Sequence, residues 1–312
     1  MRKIKEIKGN IQNIQTSALV RECEIKQTRH NSNYLHLNLE DQTGSIRAMM
    51  WDYDKNEKAH FIKAGQVIDI LQGDASEKNG ITSLIIKDFD VKEDVDIDKY
   101  IKSAPLSKEE LQNGLFAYVQ RIENEMLYHL VFNLIKNKKD IFFTQPASTN
   151  IHHEFKGGLA YHTITMLDIS ERLCDVYPSL KKDLMIAGIV AHDLGKTEEI
   201  IGYIDPNKTF EGELLGHINI VNDLITKEMY DQDLSNGDYK LLIELKHIVL
   251  SHHGELEYGS NITPRTKEAQ IIHYIDQIDA KMMMFDKAFD KVESGEFTRP
   301  IYPLHNNKLY KR

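Results

Sequence analysis

The chain has 312 residues, of which 41% are hydrophobic and 28% charged, so it can bury a substantial core, and its length suggests about two domains. No apolar run reaches the roughly 20 residues that cross a bilayer, and the basic N-terminus lacks the apolar stretch of a signal peptide. The net charge of −9 argues against a general nucleic-acid binder, and two distant cysteines, Cys23 and Cys174, indicate a cytoplasmic protein without a disulfide framework.

The first 92 residues are predicted to form a β domain. Strand-like stretches are SALVRECEIKQ, two segments within NYLHLNLEDQTGSIRAMMWD around the turn EDQTG, QVIDILQG and ITSLIIKDF. The segment YDKNEKAHFIKAG between the third and fourth strands predicts a short helix. Five strands with one helix between them are typical of an OB-type barrel, although another small barrel stays open.

From residue 93 the pattern changes from strands to helices. Residues 93–137 are predicted to be a linker with connecting helices, in which Ser107 and Glu110 form a capping box. Helical patterns cover residues 107–137, 158–176, 180–194, 212–230, 238–251 and 267–293. We therefore expect an all-β OB-type barrel at 1–92, followed after the linker by an all-α domain at 138–312.

The most apolar predicted helix ends in the sequence AHDLGK. Ser179 is expected to cap this helix and Gly195 to end it, which places His192 and Asp193 in its last turn. A single histidine there would more often be an ordinary core residue. A buried ionised carboxylate beside it, however, is costly unless a partner compensates its charge.

Further imidazoles and carboxylates recur on the other predicted helices, and nine of the 14 histidines lie between His152 and His273. The candidates are His162, His217, His252, His253, His273, Asp276 and Asp279. Each alone has an ordinary structural interpretation, but together they predict a metal site of manganese, iron, zinc or magnesium, since no thiolate takes part. They exceed the needs of one ion, so we expect two divalent ions bridged by Asp193, with a hydroxide between them that hydrolyses a phosphoester.

The β domain carries a second candidate site. Alternation along two neighbouring strands places four side chains on one face if the strands pair: Tyr34, His36, Arg47 and Trp51. Stacking rings with a cation on an OB surface are typical of single-strand binding. The alternative is that Trp51, the only tryptophan of the chain, belongs to the core.

The order H…HD…H…HH…D on consecutive helices resembles the HD-domain metallophosphohydrolase superfamily. That resemblance implies the metal ligands His162, His192, Asp193, His217, His252, His253 and Asp276. The choice of Asp276 over Asp279 rests on the resemblance alone. Lys196 would then approach a substrate phosphate, and its alternative interpretation is a helix C-terminal cation.

The whole chain resembles the YhaM family of bacterial 3′-5′ exoribonucleases, on the barrel and on the motifs HHEFKGGLAYHT, AHDLGK and SHHGELEYGS. The resemblance implies manganese-dependent removal of nucleoside 5′-monophosphates from the 3′ end of single-stranded RNA, and single-stranded DNA stays open as a second substrate. Asp193 would be the central catalytic residue, with Lys196 and Arg265 near the phosphate.

Two other functions stay open from the residues themselves. One is an HD phosphohydrolase of nucleotides or cyclic dinucleotides, against which the barrel argues because a mononucleotide needs no strand platform. The other is a non-catalytic single-strand-binding factor, against which the intact set of ligands argues. The methionine run KMMMF leaves a homo-oligomer open, although methionines at this spacing are more often core.

Overall fold

The computed structural model describes residues 1–78, 80–148, 154–202, 207–230, 232–290 and 292–312. They divide into two compact units, Met1–Ser103 and Ala104–Arg312. Residues 93–103 of the predicted linker lie in the first unit, and the predicted connecting helices lie in the second. Within the described ranges, none of the helices combines the length and the apolar character needed to cross a membrane.

The first unit is a closed five-stranded barrel with the strand order β1-β2-β3-β5-β4. Its strands are β1 (Ile11–Gln27), β2 (Asn33–Asp41), β3 (Gly44–Met50), β4 (Val67–Lys78) and β5 (Ile81–Lys92). Strands β3 and β5 pair in parallel, and the other neighbours are antiparallel. The predicted all-β, OB-type barrel is therefore confirmed. The predicted short helix after β3 is instead two 3₁₀ turns, Tyr53–Lys55 and Glu57–Phe61.

Alternation along the strands separates the barrel interior from its surface. Leu35, Leu37 and Leu39 of β2 are buried, as are Ile46 and Ala48 of β3. The intervening residues of both strands point outward, since successive side chains of a strand face opposite sides. The register of β1 shifts between Val20 and Glu22, so that this long strand pairs with β4 through its first part and with β2 through its second.

The second unit is built almost entirely of helices, and its fold is the predicted all-α domain. Its helices are α1 (Lys108–Val119), α2 (Glu125–Phe142), α3 (Gly158–Val176), α4 (Lys182–Ala191), α5 (Lys196–Glu199), α6 (Phe210–Glu228), α7 (Asn236–Ser251) and α8 (Lys267–Phe289). A two-stranded ribbon of β6 (Ile200–Ile201) and β7 (Asn207–Lys208) stands between α5 and α6.

The predicted helix 107–137 is two helices in the structure. The capping box of Ser107 and Glu110 opens α1 as expected. The chain then leaves the helix after Val119, and the Asn124 side chain caps α2 by accepting from the Leu127 amide. Asp183 of α4 accepts the backbone amides of Glu123 and Asn124 at 3.1 and 2.8 Å. The break is therefore held by a residue 60 positions away, which local pattern could not reveal.

Helix α4 lies at the centre of the second unit, since every residue from Leu184 to Ala191 is buried. Both of its predicted ends were wrong. The N-cap is Lys181 rather than Ser179, whose hydroxyl accepts from Lys267 Nζ instead. The helix ends at Ala191, with His192 as its C-cap, and Gly195 has right-handed backbone angles and precedes α5.

Candidate metal centre

Seven side chains from five parts of the helical unit meet at the end of α4. They are His162 of α3, His192 and Asp193 after α4, His217 of α6, His252 and His253 at the end of α7, and Asp276 of α8. His162, His192, Asp193 and His252 are each at most 3% exposed. All seven residues implied by the superfamily resemblance thus lie in one cluster, and the other three are half-buried.

Asp193 is the centre of this cluster. Its Oδ2 atom lies 3.3 Å from His192 Nε2 and 3.9 Å from His162 Nε2. Its Oδ1 atom lies 3.4 Å from His217 Nε2 and 3.8 Å from His252 Nε2. The cluster contains two groups of residues that could each hold a metal ion. One is His162, His192 and Asp193, and the other is His217, His252 and His253. The carboxylate therefore presents one oxygen to each pair of imidazoles, as a bridging ligand would.

The outer nitrogen of each histidine has a hydrogen-bond acceptor behind it. Nδ1 donates to these oxygens: Asp279 Oδ2 for His162 (2.6 Å), Ile189 O for His192 (2.7 Å), Glu199 Oε2 for His217 (3.1 Å), Val249 O for His252 (2.7 Å) and Tyr258 O for His253 (2.8 Å). A carbonyl or carboxylate oxygen can only accept, so the proton of a neutral ring is on Nδ1. The Nε2 lone pair then faces inward, which is the usual arrangement for metal-binding histidines.

In rings with the proton on Nδ1, the Nε2 atoms can only accept hydrogen bonds, and they face the Asp193 carboxylate, which also only accepts. Among the described residues, the buried Nε2 atoms of His192, His217 and His252 have no hydrogen-bond donor, and neither does Asp193 Oδ1. Buried polar atoms without a partner are rare in native proteins. A divalent cation would satisfy all of them at once. Imidazole and carboxylate donors without thiolate also fit manganese, iron, zinc or magnesium, so the residues present fit such an ion.

Burial and the neighbouring charged groups shift the pKa values of the cluster residues in opposite directions. Burial raises the pKa of Asp193, but its interactions with Lys196 and His192 outweigh burial and hold the pKa well below its usual value. Burial also raises the pKa of Asp276, but its interaction with the nearby His162 ring outweighs burial and lowers the pKa. Burial lowers the pKa of His252, which keeps that ring neutral. Burial also lowers the pKa of His162, but its carboxylate neighbours outweigh that effect and raise it to about 9.

The three polar residues of α8 that share one stripe have different surroundings. Asp276 Oδ1 lies 3.3 Å from His162 Nε2, on the inner side of the ring. Asp279 contacts the opposite nitrogen of His162. His273 does not join the cluster. Its Nδ1 donates to the His252 carbonyl at 2.8 Å, and its ring packs where a Cβ on Gly254 would stand, 2.2 Å from Cε1.

Lys196 and Arg265, the two cations expected near a phosphate, differ in position. Lys196 is the first residue of α5, and its Nζ lies 2.6 Å from Asp193 Oδ2. Arg265 is exposed in the turn before α8, and its backbone amide donates to His247 Nε2 at 2.8 Å. In the part of the chain that the structure describes, no contact joins the Arg265 side chain to the cluster.

The face of the barrel is arranged as its alternation predicted. Strands β2 and β3 pair with His36 opposite Met49 and Asn38 opposite Arg47. The Tyr34 and Trp51 rings lie side by side, with centroids 4.9 Å apart. Trp51 is 42% exposed, so the alternative that it belongs to the core was wrong. The four candidate side chains therefore share one outward surface.

Comparison with known proteins agrees with this geometry. Residues 159–281 match the family model of the HD domain, which spans all seven residues of the cluster. The 3′-5′ exoribonuclease YhaM of Bacillus subtilis (strain 168) is 38% identical over 281 residues, which are 89% of this chain and 88% of that protein. The protein of the same name from Shouchella clausii (strain KSM-K16) is 38% identical over 92% of this chain and 89% of its own.

The chain belongs to the YhaM family. The HD domain is a family of metal-dependent hydrolases, and the candidate metal-binding clusters of this YhaM chain lie within it. The barrel also has a weak likeness to the second OB-fold domain of replication protein A from Methanococcus maripaludis, with a TM-score of 0.25 and 23% identity over 30% of this chain and 96% of that one. A likeness of this size carries no argument about what the barrel binds.

Sequence reasoning missed the role of two residues at this YhaM site. Glu199 is 5% exposed and lies between His217 and Lys208, whose Nζ is 3.2 Å from Glu199 Oε1. Gly195 lets the backbone of α6 approach, because a Cβ there would lie 2.1 Å from the His217 carbonyl oxygen. Both residues closely follow His192 and Asp193 in the sequence HDLGKTEE, and this proximity was the available signal. It did not show which residue each of them would contact.

Proposed function

We propose that this member of the YhaM family hydrolyses single-stranded RNA from the 3′ end, releases nucleoside 5′-monophosphates, and accepts single-stranded DNA as a second substrate. The observation that carries the proposal is the convergence of histidine Nε2 atoms on the two oxygens of Asp193. The names of the family relatives supply the polarity and the RNA substrate. Both cysteines are free, which fits the reducing cytoplasm in which we place this activity.

The seven clustered residues would hold two divalent ions, which we propose to be manganese. One ion would be bound by His162, His192, Asp193 and Asp276, and the other by Asp193, His217, His252 and His253. When bound, such ions supply Lewis acidity and a water that ionises near neutral pH, so they stabilise charge on the attacking and leaving oxygens of a phosphodiester.

The protein residues around these ions do the positioning. Asp193 is fixed between the two groups of histidines, and its Oδ2 accepts from Lys196 Nζ. Lys196 is 12% exposed in its side chain and carries a positive charge at the edge of the cluster, where we propose that it also attracts the scissile phosphate. Arg265, exposed before α8, is proposed to contact a phosphate farther along the strand.

The barrel surface is proposed to hold the single strand. The neighbouring Tyr34 and Trp51 rings offer faces for base stacking, which tolerates any sequence because every base has such a face. Arg47 is exposed on the same surface and would pair with a phosphate, and His36 lies between these side chains on β2. Binding by stacking and charge suits an exonuclease that must accept successive nucleotides.

A degradation assay tests the proposal. Wild type, Asp193→Ala and the control Asp223→Ala are incubated with 5′-labelled single-stranded RNA and manganese. Asp223 is an exposed carboxylate on α6, six residues beyond His217, so its loss should leave the cluster intact. We expect a ladder shortening from the 3′ end for wild type and control, and none for Asp193→Ala. A wild type that is inert with a full metal complement would overturn the proposal, as would shortening from the 5′ end.

A further inference from the structure

The last 16 residues differ in charge from the rest of the helical unit. Residues 297–312 contain four Lys/Arg and no Asp/Glu, whereas residues 93–312 as a whole contain 25 Lys/Arg and 35 Asp/Glu. Two of the cations, Lys308 and Arg312, are exposed. Lys311 has another role, because its Nζ donates to the carbonyls of Phe289 and Val292 and so ties the segment to the end of α8.

Three aromatic side chains of this segment are also exposed: Phe297 (63%), Tyr302 (82%) and Tyr310 (51%). Phe297 and Tyr310 face each other across an antiparallel bridge, with ring centroids 5.1 Å apart and planes tilted by 47°. The Tyr34–Trp51 pair on the barrel has nearly the same arrangement, at 4.9 Å and 41°. In each pair, two tilted rings lie side by side on neighbouring segments of the chain.

The backbone beneath these rings is anchored. Leu304 and Leu309 are buried against Phe285, Phe289 and Ala288 at the C-terminal end of α8. The Thr298 hydroxyl accepts from the Leu309 amide at 2.9 Å, and a second bridge joins Ile301 and Asn307. The exposed rings are therefore held on a fixed support, which lowers the entropic cost of binding a ligand to them.

We propose that residues 297–312 form a second surface for single-stranded nucleic acid. Phe297 and Tyr310 stack on bases, while Lys308 and Arg312 neutralise phosphates. Within residues 297–312, exposed rings and cations occur without an Asp or Glu, which matches the chemistry of a single strand with its base faces and regular negative charge. A second copy of this acidic chain would also match the cations, and the experiment below distinguishes that occupant by the oligomeric state. The inference rests on the proposed function, since it assigns a further contact to the same substrate.

The position of the segment fits this role. It packs on Phe285 of α8, and Asp276 of the metal cluster lies nine residues earlier on the same helix. At about 1.5 Å per residue, that separation is roughly 13 Å along the helix axis. A strand whose 3′ end reaches the cluster could thus contact the segment through nucleotides a short way from that end.

Binding is measured with full-length protein, manganese and a fluorescein-labelled phosphorothioate oligoribonucleotide, which resists hydrolysis. The test variants are Phe297→Ala/Tyr310→Ala and Lys308→Glu/Arg312→Glu. The control is Tyr239→Ala/Lys240→Glu, which removes an exposed ring and a neighbouring exposed cation on α7. We expect roughly tenfold weaker binding for the ring variant and unchanged binding for the control. For the charge variant we expect weaker binding and a weaker salt dependence. The slope of the logarithm of the binding constant against the logarithm of salt concentration should decrease in magnitude by about 0.7 for each phosphate that the protein no longer neutralises.

A dinucleotide substrate separates this inference from the proposed function, because it is too short to reach the segment from the cluster. Wild type and all three variants should cleave it at equal rates. An active wild type whose oligoribonucleotide binding is unaffected by both test variants would overturn the second surface and leave the nuclease assignment intact. A change of oligomeric state in the test variants, with RNA binding unchanged, would also overturn it and identify the partner as a second copy. A wild type inert on both substrates would instead refute the proposed function, on which the inference rests.

Discussion

Asp279 Oδ2 accepts a hydrogen bond of 2.6 Å from His162 Nδ1, on the side of the ring opposite to the metal cluster. Asp276, one helical turn earlier on α8, lies 3.3 Å from His162 Nε2 on the inner side. The imidazole thus stands between two carboxylates that the sequence YIDQID leaves indistinguishable. Their positions favour Asp276 as a metal ligand and Asp279 as the residue that orients His162.

Substituting these two carboxylates should therefore give different results. Asp279→Asn keeps an acceptor for Nδ1 but loses the charge, so we expect manganese affinity to fall about 10- to 100-fold, with activity restored by excess metal. Asp276→Asn removes a ligand, and excess metal should not restore its activity. Manganese titrations followed by isothermal calorimetry and by RNA degradation would measure both. Reversal of the two behaviours would show that Asp279 is the ligand.

Glu199 is expected to control only one of the two proposed ion positions. It accepts from His217 Nδ1, so Glu199→Gln should weaken metal binding by the group of His217, His252 and His253 and spare the other group. Elemental analysis after dialysis should find about one ion per chain instead of the two proposed for wild type. Glu198→Gln is the matched control, because Glu198 pairs with Lys138 and not with a histidine of the cluster. Equal loss in both variants would contradict a role specific to His217.

Gly195→Ala tests the close approach between α5 and α6. The new Cβ would lie 2.1 Å from the His217 carbonyl oxygen, so the backbone around His217 must shift. We expect the free energy of unfolding to fall by roughly 1–3 kcal/mol, together with a loss of activity. In the control Gly237→Ala the nearest atom would be 3.6 Å away, so stability should be unchanged or slightly higher. Calorimetric melting of both variants gives the comparison, and equal stability would show that α6 adjusts freely.

Trp51 offers a direct spectroscopic test of the barrel surface, because it is the only tryptophan of the chain. Stacking of a base on its exposed ring should quench its fluorescence when single-stranded RNA is added. Trp51→Ala should weaken RNA binding by about 1–3 kcal/mol without unfolding the barrel. Phe61→Ala, which removes another exposed ring of the same unit, serves as the control and should bind normally. Fluorescence that does not respond to RNA would remove Trp51 from the binding surface.

The sequence by itself determined the two kinds of domain and the composition of the site. Period-two alternation in β2 and β3 predicts which side chains face outward, because a paired strand has no other way to bury one face. The order of histidines and aspartates predicts a metal-binding cluster through the residue types alone. These features are local, so each can be recognised without knowing where the rest of the chain lies.

Only the tertiary structure decided which partner each of these residues meets. The separation of Asp276 from Asp279 depends on the packing of α8 against α3, and the role of Glu199 depends on where α6 places His217. The break between α1 and α2 depends on Asp183, far away in sequence. Such contacts come from helices that cross in space, and the local pattern of a helix carries no information about the residue that will face it.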